Sequence, residues 1–310
     1  MWQIIINPKS GKRVLQRQLN YLFKILDKNG IAYNATYTQY AGHAVEIARD
    51  LVEAENYNIL VVGGDGSFSE VVNGIFSAQL AQGVSTSDIK VAILPHGTGN
   101  DWARFWKLTR NHKDAVEVFL KGITRRIDVG QATYYCGRKE RKRYFVNSAG
   151  FGLDYKIVHK VNRLKYYFGS HSVLYFFALV GVVFTYKPRR IKISADNKIF
   201  DGKVFTMNIG NGCYSGGGMK QNPDAVPYDG VFDAMFACPP NFKDIITAIP
   251  LVFNGKLTQH RIIHPVRTPE ILVESSGYFP FEADGIEVNA FDAINVKILP
   301  LSLQMVVPEI

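Results

Sequence analysis

Apolar and polar positions follow two alternating periods along the first third of the chain, and the pattern changes near residue 125. Trp2 to Ile6 is a short, nearly unbroken apolar run, as in a strand covered on both faces. Leu15, Leu19, Leu22 and Leu26 then recur at helical spacing, with Gly30 as a stop. A strand is expected from Ala32 to Thr38, followed by a helix with Ala44, Ile47, Ala48 and Leu51 on one face. A strand at Ile59–Val62, a helix carrying Val71, Val72 and Ile75, and a strand at Val91–Leu94 complete the series. This alternation predicts a parallel sheet with helices on both faces, whose ligands bind at the carboxyl ends of the strands.

Beyond Arg125 short strand-like runs dominate: Arg126–Gly130, Tyr144–Ala149, Ile191–Ala195, Val204–Ile209, Val231–Ala237, Ile271–Ser275 and Val288–Phe291. Turn residues such as Asp196-Asn197 and Asp201-Gly202 separate them. Helical patterns interrupt near Val158–Tyr186 and Phe242–Phe253. The expectation is a β-sandwich-like second domain, and a last strand-like run spans Asn295 to Val307.

The 310 residues carry a formal net charge of +9. Arg104 to Lys192 holds 20 Lys/Arg and 5 Asp/Glu, net +15, and the remainder 16 and 22, net −6. The basic runs are Arg138-Lys139-Glu140-Arg141-Lys142-Arg143 and Lys187-Pro188-Arg189-Arg190. They read either as solvated faces or as a surface drawn to anionic lipid headgroups. No nucleic-acid recognition signature accompanies them, so nucleic acid is not expected as a partner. Cys136, Cys213 and Cys238 form neither a disulfide framework nor a metal pattern. His260 and His264 lack a third ligand nearby. The longest apolar run, within Val173 to Tyr186, is about 14 residues, short of the roughly 20 that a membrane span needs. With no signal peptide in view, a cytoplasmic protein is expected, attached at most peripherally at the inner membrane face.

Two turns carry the chemistry. Ile59–Val62 ends in Gly63-Gly64-Asp65-Gly66-Ser67, and Val91–Leu94 in Pro95-His96-Gly97-Thr98-Gly99-Asn100-Asp101. Glycines let backbone amides approach a ligand where a Cβ would collide, and a following helix N-terminus adds unpaired donors. Both suit phosphate. No Walker A motif is present, because Gly11-Lys12 lacks the upstream glycine.

These turns, with Asn7-Pro8-Lys9-Ser10-Gly11, Asn147-Ser148-Ala149-Gly150-Phe151-Gly152, Pro223-Asp224-Ala225-Val226-Pro227-Tyr228-Asp229-Gly230 and Ala283-Asp284-Gly285, resemble the diacylglycerol kinase catalytic domain family, which includes bacterial lipid kinases and is related to sphingosine and ceramide kinases. The resemblance spans almost the whole chain. It implies an α/β plus β fold of two domains, an N-terminal three-layer α/β domain with a parallel sheet (1–125, completed by 295–310) and a C-terminal β-sandwich-like domain (126–294), with a nucleotide cleft between them.

It also implies an ATP-dependent kinase that phosphorylates the hydroxyl of diacylglycerol or a related lipid at the membrane surface. ATP and Mg²⁺ would be the cofactors. Gly63, Gly64, Gly66 and Ser67, with Gly97, Thr98, Gly99 and Asn100, would hold the phosphates, and Asp65 the catalytic Mg²⁺. Asn7, Pro8, Lys9, Ser10 and Gly11, with Thr38, would lie on the adenine and ribose side. Asp284 would be the general base, and Asp229 would bind a structural Mg²⁺ with the carbonyls of Val226 and Val231. Gly216-Gly217-Gly218 reads as a flexible loop without a catalytic role. The family's Asp-Gly-Glu is here Asp284-Gly285-Ile286-Glu287, and alternation along a strand places Ile286 and Glu287 on opposite faces. A kinase of a soluble acceptor, similar to NAD kinases, and a catalytically silent nucleotide- or lipid-binding homologue are the alternatives.

Overall fold

The first apolar run is strand β1 (Trp2–Ile6) of a computed structural model that describes residues 1–11, 15–108, 111–168 and 181–309. Its alternate side chains enter two different cores. Ile4 and Ile6 pack with Leu19, Leu22 and Leu26 of α1 (Leu15–Lys28) and with Ala115, Val116 and Phe119 of α5 (His112–Lys121). Ile5 packs with Ala44 and Ala48 of α2 (His43–Glu53) and with Val71, Val72 and Ile75 of α3 (Asp65–Ser77). A strand that is apolar on both faces thus requires helices above and below it. The sheet between them runs in the order β2 (Tyr33–Tyr37), β1, β3 (Asn58–Gly63), β4 (Lys90–Pro95), all parallel. A short α4 (Asp101–Phe105) follows β4 and buries Trp102 completely.

Two long strands carry this sheet into the second half of the chain. They are β5 (Thr124–Cys136) and β16 (Phe291–Val306), antiparallel to one another. The last residues of β16 pair parallel with β4, Gln304 opposite Lys90 and Met305 opposite Val91. Its first residues pair with β13 (Glu270–Tyr278), which continues to β8 (Arg189–Ala195) and β9 (Lys198–Val204). β5 also pairs with β6 (Lys139–Phe145). The boundary expected at 125/126 therefore falls inside a continuous strand, where the backbone shows no linker.

The second sheet is six-stranded, in the order β12 (Ile263–Thr268), β11 (Phe232–Ala237), β10 (Thr206–Gly210), β7 (Ser148–Gly152), β14 (Phe281–Ala283), β15 (Ile286–Val288). It packs on the distal part of the first sheet through Phe151, Met207, Ile209, Phe232 and Phe281 from one side and Ile191, Ile271, Val273, Ile294 and Val296 from the other. This is the sandwich expected from the strand pattern. The run Val204–Ile209 is not one strand but the end of β9 and most of β10, and Tyr144–Ala149 is divided between β6 and β7. Of the helical pattern Val158–Tyr186, α6 (Leu153–Phe168) and a short stretch at 181–185 are helical, and residues 169–180 lie outside the described residues. The second helical pattern is α7 (Phe242–Asn254).

Asp128 fastens the crossing strands. It is fully buried, and its carboxylate fills an irregularity in β16 between Leu299 and Leu303. One oxygen accepts from the Leu301 amide at 2.7 Å and the other from the Gly230 amide at 2.7 Å. Its own amide donates to Pro227 O, and its carbonyl accepts from Asn211 Nδ2. Leu301 takes a left-handed conformation, φ 49°, which its Cβ disfavours. The carboxylate offsets that cost. An Asp128→Ala variant leaves the Leu301 and Gly230 amides without their acceptor. Leu301 is itself exposed, so water replaces part of what is lost, and the variant should lose roughly 1–3 kcal/mol of stability. Urea unfolding reads this directly, and an unchanged midpoint would show that the carboxylate holds nothing.

Candidate active site

Three loops converge at the carboxyl ends of β1, β3 and β4. The two glycine-rich turns touch backbone to backbone. A Cβ on Gly64 would lie 2.8 Å from Gly97 Cα, and one on Gly97 would lie 2.6 Å from Gly64 Cα. Gly63 lies equally close to Ser67, whose side chain a Cβ would meet at 2.6 Å. The Asn7–Gly11 loop closes the third side. Asn7 Nδ2 donates to Ser67 Oγ at 2.8 Å, Asn7 Oδ1 accepts from the Lys9 amide, and Ser10 Oγ donates to His96 O. Gly11, at φ 71°, would bring a Cβ within 2.2 Å of His96 O. Pro8, Lys9, Gly66 and Thr98 are exposed around this junction. Thr38 is buried beside it, its amide donating to Ile6 O.

Expected phosphate ligands divide into two groups here. The amides at the start of α3 have no earlier turn to bond to, so they remain available for an anion. Asn100 does not. It is buried and left-handed at φ 52°, and its amide group clasps the Gly97 peptide, accepting from Gly97 N and donating to Gly97 O, each at 2.9 Å. Asn100 shapes the turn from within.

Asp65 is half-buried. Its carboxylate accepts from the amides of Asp101 and Trp102, each at 3.1 Å, and so caps α4 while heading α3. Asp101 is buried in turn. One of its oxygens accepts from Gly217 N at 2.7 Å, while the other is buried with no hydrogen-bond partner, 3.8 Å from Arg104 Nε. Both carboxylates border Gly99, where a Cβ would lie 3.1 Å from Asp65 Oδ2 and 3.5 Å from Asp101 Oδ2. Burial pushes both groups above the ordinary carboxylate range. The Gly217 amide and Arg104 work against this at Asp101, where the Asp65 charge reinforces it. Among the described residues no cluster of three or more His, Cys, Asp or Glu could hold a metal. The two carboxylates, with Asp101 Oδ1 lacking a hydrogen-bond partner, are oxygen donors of the kind that a hard cation takes. The Gly216–Gly218 loop, expected to be free, reaches over α4 through this bond.

Asp284 approaches from the second domain. With Gly285 it forms the two-residue turn between β14 and β15, both residues at positive φ (51° and 77°), the geometry that Asp-Gly favours. Its carboxylate accepts from three successive amides, Val146 at 3.0 Å, Asn147 at 2.9 Å and Ser148 at 3.2 Å. The hydroxyl of Ser69, one helical turn beyond Asp65 on α3, favours its ionised form. Burial raises its pKa, and these donors counteract that. Arg143 also faces this cluster. Its guanidinium donates to Ser69 Oγ at 3.2 Å, and its buried Nε has no partner. Burial lowers the Arg143 pKa, and the Asp284 charge is the first opposing influence. Arg143 thus leaves the basic run Arg138–Arg143, whose other charges stay on the exposed hairpin. Strand alternation was the available signal.

Glu287 does not replace the family's glutamate. It turns to α6, accepting from Asn162 Nδ2 at 3.2 Å and pairing with His159 Nδ1 at 2.7 Å. The unexpected carboxylate is Glu282, paired opposite Glu287 and buried. It accepts from Gly285 N at 2.7 Å, and burial pushes its pKa up to about 8, with the charges of Asp154 and Asp284 adding to the effect. Asp154 itself accepts from Thr206 Oγ1 and Asn208 Nδ2. Nothing in the local pattern distinguishes Glu282 from an ordinary strand glutamate. Its environment comes from Gly150, where a Cβ would lie 2.6 Å from Glu282 Oε1.

At the expected metal site, Asp229 forms an ion pair with Arg267 and accepts from Val231 N, and the Val226 carbonyl accepts from Tyr228 N.

Comparison with known proteins agrees with this geometry. Residues 1–132 match the family model "Diacylglycerol kinase catalytic domain", and residues 147–307 match "YegS C-terminal NAD kinase beta sandwich-like domain". A diacylglycerol kinase of Staphylococcus saprophyticus is 29% identical over 286 residues, covering 91% of this chain and 88% of the relative. One from Bacillus subtilis is 27% identical over 287 residues, with 91% and 88% covered. The crystal structure of a diacylglycerol kinase from Bacillus anthracis str. Sterne superposes with a TM-score of 0.74 at 21% identity, covering 99% of this chain and 96% of that one, and so shares the fold.

Two outcomes follow from this packing. Gly97→Ala should separate the two turns and abolish activity, because the clash is with backbone rather than with a side chain that can rotate away. An active, normally folded variant would refute the contact. For Glu282, the folded pKa lies above the unfolded one, so the native state holds more protons between them. Stability should therefore fall as pH rises from about 4.5 through about 8. Glu282→Gln should flatten that decline and melt above the wild type at pH values above 8, as read by thermal scans across pH.

Proposed function

The chain belongs to the diacylglycerol kinase catalytic domain family and is a lipid kinase; we propose that ATP binds at the junction of the two glycine-rich turns and that Asp284 is the general base for the lipid hydroxyl. One observation supports this reading. The Asp284 carboxylate is held by the Val146, Asn147 and Ser148 amides, and Arg143, which faces it, donates to Ser69 Oγ, one helical turn beyond Asp65 on α3.

In the proposed reaction the lipid oxygen attacks the γ-phosphorus, and its proton passes to a carboxylate oxygen of Asp284. The bond from that phosphorus to the bridging oxygen breaks, and ADP leaves with the electron pair. Phosphoryl transfer asks mainly for positioning and for charge opposite the equatorial oxygens. The α3 amides and the Arg143 guanidinium supply both. Asp65 and Asp101 are the residues that would hold Mg²⁺, which when bound neutralises charge on the phosphates. Asn7 to Gly11 and Thr38 border the junction on the side assigned to adenine and ribose.

Diacylglycerol, or a lipid with the same exposed hydroxyl, is the acceptor class. Matches to diacylglycerol kinases over 91% of the chain do not favour a soluble acceptor. A silent homologue is not favoured either, because the Asp284 turn closes and binds its three amides without a glutamate at position 286.

Labelled ATP offered with extracted lipids tests the activity. Asp284→Asn should lower turnover roughly 10²–10⁴-fold while leaving ATP affinity unchanged. Full turnover by that variant would move the base elsewhere. The acid limb of kcat/KM should lie above the ordinary carboxylate range, since burial raises Asp284. Arg143→Ala removes a charge that favours ionised Asp284, so the limb should move to higher pH. A limb that stays put would limit Arg143 to a structural role.

A further inference from the structure

One helix face has no partner in the fold. Helix α7 turns Ala248, Leu251 and Val252 inward, onto Met235, Ala237, Leu257 and Ile263. Its outer face carries Phe242, Ile246, Ile249 and Phe253, spaced four, three and four residues apart, which is one stripe of an α-helix. All four are exposed, Phe242 and Phe253 by 67% and 63%. Phe184, also exposed, stacks on Phe242 at 5.7 Å and extends the stripe. Beside it opens a cleft of about 320 Å³ between residues 183–188 and the start of α7, lined by Val183, Phe184, Tyr186, Pro239, Phe242 and Ile245. A contiguous apolar patch of this kind marks an interaction surface.

The charges around the stripe select its partner. Lys187 and Lys243 are exposed at one end, and Lys256 is exposed and Lys220 half-buried at the other, against the exposed carboxylate of Asp224. The acid within α7, Asp244, is buried, capped by Asn241 and paired with Arg261. A two-fold contact between copies of this chain would set this positive rim against itself. An anionic bilayer complements it. The substrate is a lipid, which is presented to the enzyme in a bilayer.

We propose that the outer face of α7, with Phe184 and the adjoining cleft, docks the protein onto an anionic bilayer, its apolar side chains entering the acyl boundary while the rim lysines contact lipid phosphates. Helices of this character lie in the interface plane, with the apolar face about 5–10 Å deep. The proposal deepens the lipid-kinase reading and rests on it for the choice of a bilayer as partner, but its test needs no turnover.

Vesicles of phosphatidylcholine mixed with phosphatidylglycerol, free of substrate, serve as the probe. The Ile246→Asp/Ile249→Asp variant should lose at least about tenfold in vesicle binding, because two apolar anchors become charged. It should keep its melting temperature and its turnover on a water-soluble short-chain diacylglycerol. Should that variant misfold, a Phe253→Trp variant gives a second reading: its emission should shift to the blue on adding these vesicles, and less so on pure phosphatidylcholine or in high salt. Wild-type vesicle binding by the double variant, or tryptophan emission unmoved by vesicles, overturns the proposal. So does conversion of a dimer to a monomer by the double variant with vesicle binding unchanged, which would identify a second copy as the occupant. If the stripe governs vesicle binding while no lipid is phosphorylated by the wild type, the kinase reading falls and the docking surface stands.

Discussion

Gly64 and Gly97 lie so close that neither could carry a single additional carbon. That contact brings the ends of β3 and β4 together, and the remaining geometry of the cleft depends on it. It sets the start of α3, and so the direction of the free amides. It also brings the start of α4 within reach of Asp65 and leaves room beside Gly99 for two carboxylates. Asn100 then locks one of the two peptides from below. If this loop receives phosphate as proposed, it needs no lysine, because its shape comes from backbone packing and its charge would come from amides and a neighbouring guanidinium.

The second organising habit is the use of aspartates as acceptors for backbone amides. Asp65 holds the start of α4, Asp128 the irregularity in β16, and Asp284 the three amides that lead into β7. Each is wholly or partly removed from water and would resist ionisation, and each is compensated by N–H groups aimed at its oxygens. The same residues that define the site therefore also hold elements together. Function and stability are hard to separate here, and a variant at Asp65 disturbs the docking of α4 as well as any cation.

The fold was largely legible in the sequence because its signals are periodic and local. Three strands of the first sheet read as apolar runs, and α1, α2 and α3 as stripes of leucines, valines or alanines, whereas the mostly exposed β2 gave a weaker signal and α5 was not read. The glycine turns and Asp-Gly at 284–285 were legible for a similar reason, since a backbone conformation demands a residue type. What could not be read was the environment created by distant partners. Glu282 looks like any strand glutamate until Gly150 and Asp154 surround it, and Arg143 looks like one of a basic run until strand alternation turns it toward Ser69. Asp229 illustrates the converse. Its turn was recognised, but Arg267, 38 residues away in sequence, takes the carboxylate. The boundary at 125 was misplaced because strand pattern cannot distinguish two short strands in two domains from one long strand shared by both.

That shared strand pair has a mechanical meaning. β5 and β16 run from one lobe into the other, paired on both sides of the irregularity that Asp128 fills. A cleft between lobes joined by a flexible linker can swing open like a jaw. Here such a swing would shear a two-stranded ribbon, so the spacing between the lobes behaves as a stiff spring. Entry and exit of nucleotide are then left to small, cheap displacements, chiefly of the Gly216–Gly218 loop over α4 and of the Asn7–Gly11 loop over His96. In hydrogen-exchange terms, the amides of the ribbon should belong to the slowest class in the molecule, while those of the two loops turn over quickly, and binding of nucleotide should quiet the loops without touching the ribbon.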